Sequence, residues 1–180
     1  MTTWFPTSKR PSLGTFVEKD VHAIARDHDV EVVHLVPPGL HDGPTHEVRD
    51  GITVRRLPMS TSNPAQIARA ARELRPLVAG ADVVHTMAFS ALLPFAGRRP
   101  EAAWVHTEHW SGLTNPSTLP AVWRVALPLL RRLLARPDLV TSVCEYLARP
   151  IREVRQGPLQ IVPCIVPPVT PLIERPDRSS

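Results

Sequence analysis

The side chains in this sequence most able to do chemistry cluster in Val105-His-Thr-Glu-His109. An imidazole beside a reacting carbon, or the backbone carbonyl next to it, can stabilise developing positive charge and fix a hydroxyl. His109 is the first candidate for that work. The residues before it, Ala102-Ala-Trp-Val105, are apolar, and those after it, Trp110-Ser-Gly-Leu-Thr-Asn-Pro116, are loop formers. That order reads as a buried parallel strand handing side chains to a site at its carboxyl end, where open α/β sheets bind their ligands. His106 lies three residues before His109. Residues three apart on a strand face opposite sides, so the two imidazoles are not expected to share a metal. Glu108 points away from His109 on a continuing strand and is open to two readings, a base on the acceptor side or a solvated or ion-paired carboxylate.

A second group lies nearer the start. Gly14 and Thr15 open a helix, and the first amides and dipole of a helix favour an anion; a glycine kept only for its turn explains the same residues. No Gly-x-Gly-x-x-Gly run and no Gly-Lys-Ser/Thr occurs, which argues against a dinucleotide fingerprint and a phosphate loop. Lys9 and Arg10, in the loop before that helix, can meet either an anionic ligand or solvent. His85 ends a buried stretch and reads first as a satisfied core histidine. Cys144 and Cys164 lack metal-ligand spacing and are expected to be reduced, buried thiols.

These residues need a scaffold. Residues 1–5 read as the end of a strand shorter than the usual five or six residues, whose beginning is expected upstream. A loop over 6–13 and a helix with Phe16, Val17, Val21 and Ile24 on one face follow. Further strands are expected at 30–36, 51–57, 81–87, 102–109, 138–143 and 159–166, with a polar excursion at 41–49. Asn63-Pro64 caps a helix through Ile67, Ala71 and Leu74, and a short helix spans 90–96. Trp123, Leu127, Leu130 and Leu134 mark a helix over 118–136 that Pro128 should kink or break, and residues 145–155 form the last helix. Strands alternating with helices predict an α/β fold, a Rossmann-like parallel sheet of about seven strands with helices on both faces. Residues 1–168 form this domain and 169–180 a Pro-rich linker.

The 180 residues are 43% hydrophobic and 21% charged, ordinary for one globular domain. The net charge of +4 rests on arginine, since Lys9 and Lys19 are the only lysines. A modest basic excess fits an anionic substrate, an anionic membrane or nucleic acid. The last is disfavoured, because there is no helix-turn-helix pattern and no aromatic platform, with one Tyr and four Phe. Neither a run of about eighteen apolar residues nor a basic-then-apolar leader is present, so a cytoplasmic protein is expected.

The order of short motifs resembles the N-terminal half of a retaining glycosyltransferase of family 4, with the GT-B fold. The resemblance is carried by Pro11-Ser-Leu-Gly-Thr-Phe-Val17, Ala81-Asp-Val-Val-His85, Val105-His-Thr-Glu-His109, Arg136-Pro-Asp-Leu-Val-Thr-Ser-Val-Cys-Glu145 and Val162-Pro163. It implies an acceptor-binding half, inactive without a C-terminal domain that binds a nucleotide-sugar donor. It implies His109 as the residue nearest the transferred sugar, Gly14 and Thr15 as the loop facing the donor phosphates, and no metal or other cofactor for transfer. Lys9, Arg10, Glu108, Trp110 and Ser111 are the residues expected on the acceptor side, with loops after the first, second and fifth strands shaping the pocket; the expected acceptor is a sugar, lipid or small molecule. Two positions depart from the family pattern. Pro163-Cys-Ile-Val-Pro-Pro168 stands where Pro-Asn-Gly-Val-Asp is common, and Cys144 replaces a frequent serine, a poorer hydrogen-bond partner. Arg124, Arg131, Arg132 and Arg136 punctuate the apolar helix over 118–136; leucines packing on the sheet explain that pattern, and so does a weak peripheral contact with the inner face of the cell membrane. Two competing functions share the fold: a non-catalytic module that binds a nucleotide or partner, and a sugar-nucleotide epimerase.

Overall fold

The computed structural model describes residues 1–166, so the boundary expected at residue 168 and the linker at 169–180 lie outside the described residues. The elements in chain order are α1 (Thr15–Ile24), β1 (Glu31–Val36), β2 (His46–Arg49), β3 (Ile52–Pro58), α2 (Pro64–Val78), β4 (Val83–Met87), β5 (Ala103–Glu108), α3 (Ala121–Leu130), β6 (Leu139–Ser142), α4 (Glu145–Arg152) and β7 (Leu159–Ile161). Strands β4, β5, β6 and β7 lie side by side, all parallel. β1 and β3 are parallel, and β2 runs antiparallel along the other edge of β3.

Thr2 joins these two groups, bridging His34 of β1 on one side and Met87 of β4 on the other. Its N–H donates to the Val33 carbonyl at 3.1 Å, and its carbonyl accepts from Leu35 N–H at 2.8 Å. The strand expected over residues 1–5 is thus reduced to one bridging position. This is a doubly faced α/β layer, with fewer parallel strands than the seven expected.

Alternation along β1 divides the apolar interior. Val32 joins Phe5, Val54 and Met87 under Val17 and Val21 of α1, whereas Val33 and Leu35 join the larger core that holds Leu74 of α2, Leu127 of α3 and Ile151 of α4. Successive strand residues face opposite sides, so α1 covers one face and α2, α3 and α4 the other. Trp104, at 0% exposure, sits at the centre of the larger core. The cap of α2 is as expected: Asn63 Oδ1 accepts from Ala65 and Gln66 N–H at 3.0 and 3.2 Å, and Pro64 takes the first helical position.

Five local expectations are corrected. The polar excursion at 41–49 contains β2, which turns into β3 through Asp50 and Gly51, both with positive φ (49° and 80°). Asp-Gly with positive φ at both positions is a tight hairpin signal, masked here because Val48 is the one apolar residue in β2. The short helix at 90–96 is a 3-10 segment, Phe89–Phe95. The helix over 118–136 is split, as expected, but at Arg131 rather than at Pro128: α3 passes into a tighter 3-10 turn, Arg131–Ala135. β7 ends at Ile161 instead of 166, because Pro163 has no N–H to continue the ladder after Val162 N–H bonds the Ser142 carbonyl. Both cysteines are exposed rather than buried, since each lies beyond the carboxyl end of its strand, Cys144 at the start of α4 and Cys164 after β7.

Candidate active site

A buried polar chain organises the carboxyl end of β5. Trp104 Nε1–H donates to Thr86 Oγ1 at 3.0 Å, and that hydroxyl lies 3.0 Å from His106 Nδ1. His106 Nε2 faces Glu108 Oε2 at 3.2 Å. The carboxylate only accepts, which assigns the His106 proton to Nε2. Glu108 Oε1 then accepts three backbone N–H groups, those of Phe89 at 3.3 Å, His109 at 2.9 Å and Trp110 at 2.7 Å. Glu108 and His106 are both at 0% exposure. The carboxylate expected on the acceptor side is therefore turned inward and committed to pinning the loop backbone. On the opposite face, His85 Nε2, Thr107 Oγ1 and Thr141 Oγ1 form a second chain across β4, β5 and β6, at 2.6 and 2.7 Å. Burial pushes His85 down to about 3, so it is an uncharged core histidine.

Beside Phe89, the backbone of Ala88 takes φ 66°. A left-handed alanine stores strain that its surroundings must hold, and such residues gather at functional sites. Ala88 N–H bonds the Thr107 carbonyl at 2.9 Å, and the next N–H bonds Glu108. The turns leaving β4 and β5 are thus tied to one another.

His109 emerges from this pinned loop. Its imidazole packs on Phe16 of α1, ring centroids 4.6 Å apart. Its Nε2 lies 3.7 Å from Asp20 Oδ2, and the side chain is 4% exposed. Its Nδ1 lies 3.8 Å from Cys164 Sγ. Burial pushes the imidazole down to about 4, against an opposing pull from Glu108, and the same removal from water raises the Asp20 carboxyl. His109 is uncharged at neutral pH, with one face on an aromatic ring.

Gly14 precedes that contact by two residues. Its φ is 70°, and a Cβ there would lie 2.4 Å from the Trp4 carbonyl carbon and oxygen, so both conformation and space demand glycine. Thr15 is exposed at the start of α1. Gly14, Thr15 and His109 are therefore brought to one end of the sheet through Phe16. Lys9 and Arg10 are held elsewhere: Lys9 Nζ donates to the His41 carbonyl at 2.6 Å, Ser8 N–H to Asp42 Oδ2 at 2.7 Å, and Arg10 closes a tight turn with Thr7. The loops after Thr2 and after β1 thus meet each other. Trp110 stacks on Phe89, centroids 5.5 Å apart, and meets the edge of Trp123, which makes it the hydrophobic anchor of its loop. Ser111 is exposed at the start of the 3-10 turn Ser111–Leu113.

Two residues beside His109 escaped sequence reasoning. Asp20 is one helical turn beyond Phe16, a spacing that places both on one side of α1. Cys164 occupies the variant position after Pro163, which already marked it as unusual. A concavity of about 930 Å³ lies between α2 and residues 93–101, and none of the candidate residues lines it. No helix of the described residues is long and apolar enough to cross a membrane.

Removing the Glu108 carboxylate should leave three loop N–H groups and His106 without their acceptor. Glu108→Ala is expected to cost about 3–5 kcal/mol in urea unfolding. Glu108→Gln keeps an oxygen for the N–H groups and should cost about 1–2 kcal/mol. Equal, small losses for both would show that the pin carries little.

The sequence profile of the glycosyl transferase 4-like domain matches residues 13–164. No curated protein matches the chain by sequence. Among solved structures, one chain of sucrose-phosphate synthase from Thermosynechococcus elongatus superposes with a TM-score of 0.59 at 16% identity, covering 83% of this chain and 84% of that one. Another chain of the same enzyme gives 0.64 at 16% identity, covering 84% of this chain and 42% of its own length. This chain thus spans less than half of that second synthase chain, and at such identity the likeness shows the fold, one Rossmann-like half of a GT-B enzyme. With the profile covering most of its length, the chain belongs to the glycosyl transferase 4-like domain family.

Proposed function

We propose that this domain is the acceptor-side half of a retaining glycosyltransferase that moves a sugar from a nucleotide-sugar donor to an acceptor, and that it is inactive without a C-terminal donor-binding half. The observation that carries this reading is His109, uncharged and packed on the first turn of α1. Transfer with retention builds positive charge at the anomeric carbon and negative charge on the departing phosphate. A protonated imidazole would repel the first. A neutral one, or the carbonyl beside it, stabilises that charge and can bond a sugar hydroxyl. The start of α1, at Gly14 and Thr15, offers its amides and dipole to the second. Neither task calls on a metal ion. A centre formed between two halves also need not be concave in one of them, and none of these residues lines the cavity between α2 and residues 93–101.

The acceptor would lie against the joined loops that carry Lys9 and Arg10 and against the start of the loop at Trp110 and Ser111. Glu108 acts on it only through the backbone that it fixes. In the full-length transferase, His109→Ala is expected to lower kcat by about tenfold or more with the fold intact; unchanged turnover would remove His109 from the mechanism. Tight nucleotide binding by residues 1–180 alone would favour a non-catalytic module, and donor turnover without acceptor would favour an epimerase.

A membrane contact is supported by a separate observation. The inward stripe of the 118–136 helix packs as expected, with Leu127 and Leu134 buried, yet α3 also leaves Val122, Val125 and Leu129 exposed at 68%, 81% and 67%. Exposed Arg124 and Arg132 flank this second apolar stripe. Apolar residues beside arginines suit the surface of an anionic bilayer, and a cytoplasmic enzyme with a lipid acceptor would work there. Sedimentation with anionic vesicles should carry the chain down, and Val125→Glu with Leu129→Glu should abolish this. Equal recovery with neutral vesicles, or no effect of the substitutions, would refute the contact.

A further inference from the structure

We propose that Glu18, His22 and Asp50 form a binding site for a divalent transition-metal ion, with Zn2+ as the natural choice. One ligand atom from each side chain lies within 4.8 Å of the other two. His22 Nε2 and Asp50 Oδ2 are 3.7 Å apart, close to the edge of a tetrahedron built on Zn–N and Zn–O bonds of about 2.0–2.2 Å. Two elements supply the donors. Glu18 and His22 are one turn apart on α1 and share a side of it, while Asp50 sits in the β2–β3 turn.

The donor chemistry selects the ion. An imidazole with two carboxylates suits Zn2+ and its first-row neighbours, whereas Mg2+ and Ca2+ take oxygen ligands. Three protein ligands leave one position for water. Access is open, since the His22 and Asp50 side chains are 41% and 70% exposed.

Glu18 supplies the independent sign that the site is unfinished. Its Oε1 is buried and has no hydrogen-bond partner, although Arg49 Nε lies 2.7 Å away. The pair is close in distance but off-axis, so the Arg49 charge steadies the carboxylate without satisfying that oxygen. A metal ion would satisfy it directly. Arg49 opposes the ion electrostatically, which predicts moderate affinity.

The site is separate from the transfer centre and stands whether or not the transferase reading does. Residues two apart on a helix are about 200° apart around its axis, so Glu18 and His22 lie on the side of α1 opposite Phe16 and Asp20. A bound ion would fasten α1 to the β2–β3 turn. It would thereby brace the helix whose other side holds His109.

The test is calorimetric titration of the whole chain with Zn2+, paired with thermal melts and the visible spectrum of Co2+. One equivalent should bind, and saturating Zn2+ should raise Tm by about 5 °C or more. His22→Ala should weaken binding by at least about tenfold, the loss attached even to outer-shell partners of metal ligands. Asp50→Asn, which suits the same positive φ, should do likewise while leaving the circular dichroism spectrum unchanged. No binding by the unaltered chain overturns the proposal. So does binding that survives both substitutions, or a thiolate-to-cobalt band, which would place the ion at Cys144 or Cys164.

Discussion

One buried carboxylate determines the shape of the site. Glu108 ends β5 where a polar loop must begin, and its Oε1 gathers the N–H groups of Phe89, His109 and Trp110. Loop amides leaving two parallel strands have no ladder partner, and burying them unpaired is costly. The carboxylate resolves that cost and is in turn steadied by His106, Thr86 and Trp104 across the strand pair. The left-handed turn at Ala88 is held by the same bonds. The direction in which His109 leaves the sheet follows from them.

The second constraint comes from α1. Gly14 lets the helix begin against the Trp4 backbone, where no side chain fits. Phe16 and Asp20 then reach His109 from the side that Glu108 does not touch. Enclosure by an aromatic ring and a half-buried helix strips water from the imidazole and keeps it neutral. Because its folded pKa lies below the unfolded value of about 6.5, the histidine opposes folding as pH falls from 6.5 towards 4 and is indifferent above that range. A fold that accepts such a penalty at its strand ends gains a polar, uncharged group next to a helix start.

Most of the layering was legible in the sequence because it depends on periodicity and punctuation. Buried strands such as β1 and β5 announce themselves as apolar runs, and Asn63-Pro64 states where α2 begins. Three things were not legible. β2 has almost no apolar content, and its pairing depends on a turn, Asp50-Gly51, rather than on a pattern. The end of β7 depends on the missing N–H of Pro163. At the site, strand alternation correctly separated His106 from His109, yet it could not show whether Glu108 faced solvent or the backbone of its own loop. Long-range contacts decide that, and so it was for Asp20 and Cys164, which chain distance hides from His109. The motifs that resemble the transferase family single out the segment around His109, and the side-chain packing shows what each residue there touches.

The most direct measurement is a 15N-resolved NMR titration of the His109 imidazole in the intact chain. The ring should be neutral at pH 7 and gain its proton only near pH 4. A midpoint near the ordinary value of about 6.5 would mean that the ring is solvated and free of α1, and the enclosed, uncharged imidazole on which the proposed transfer depends would not exist.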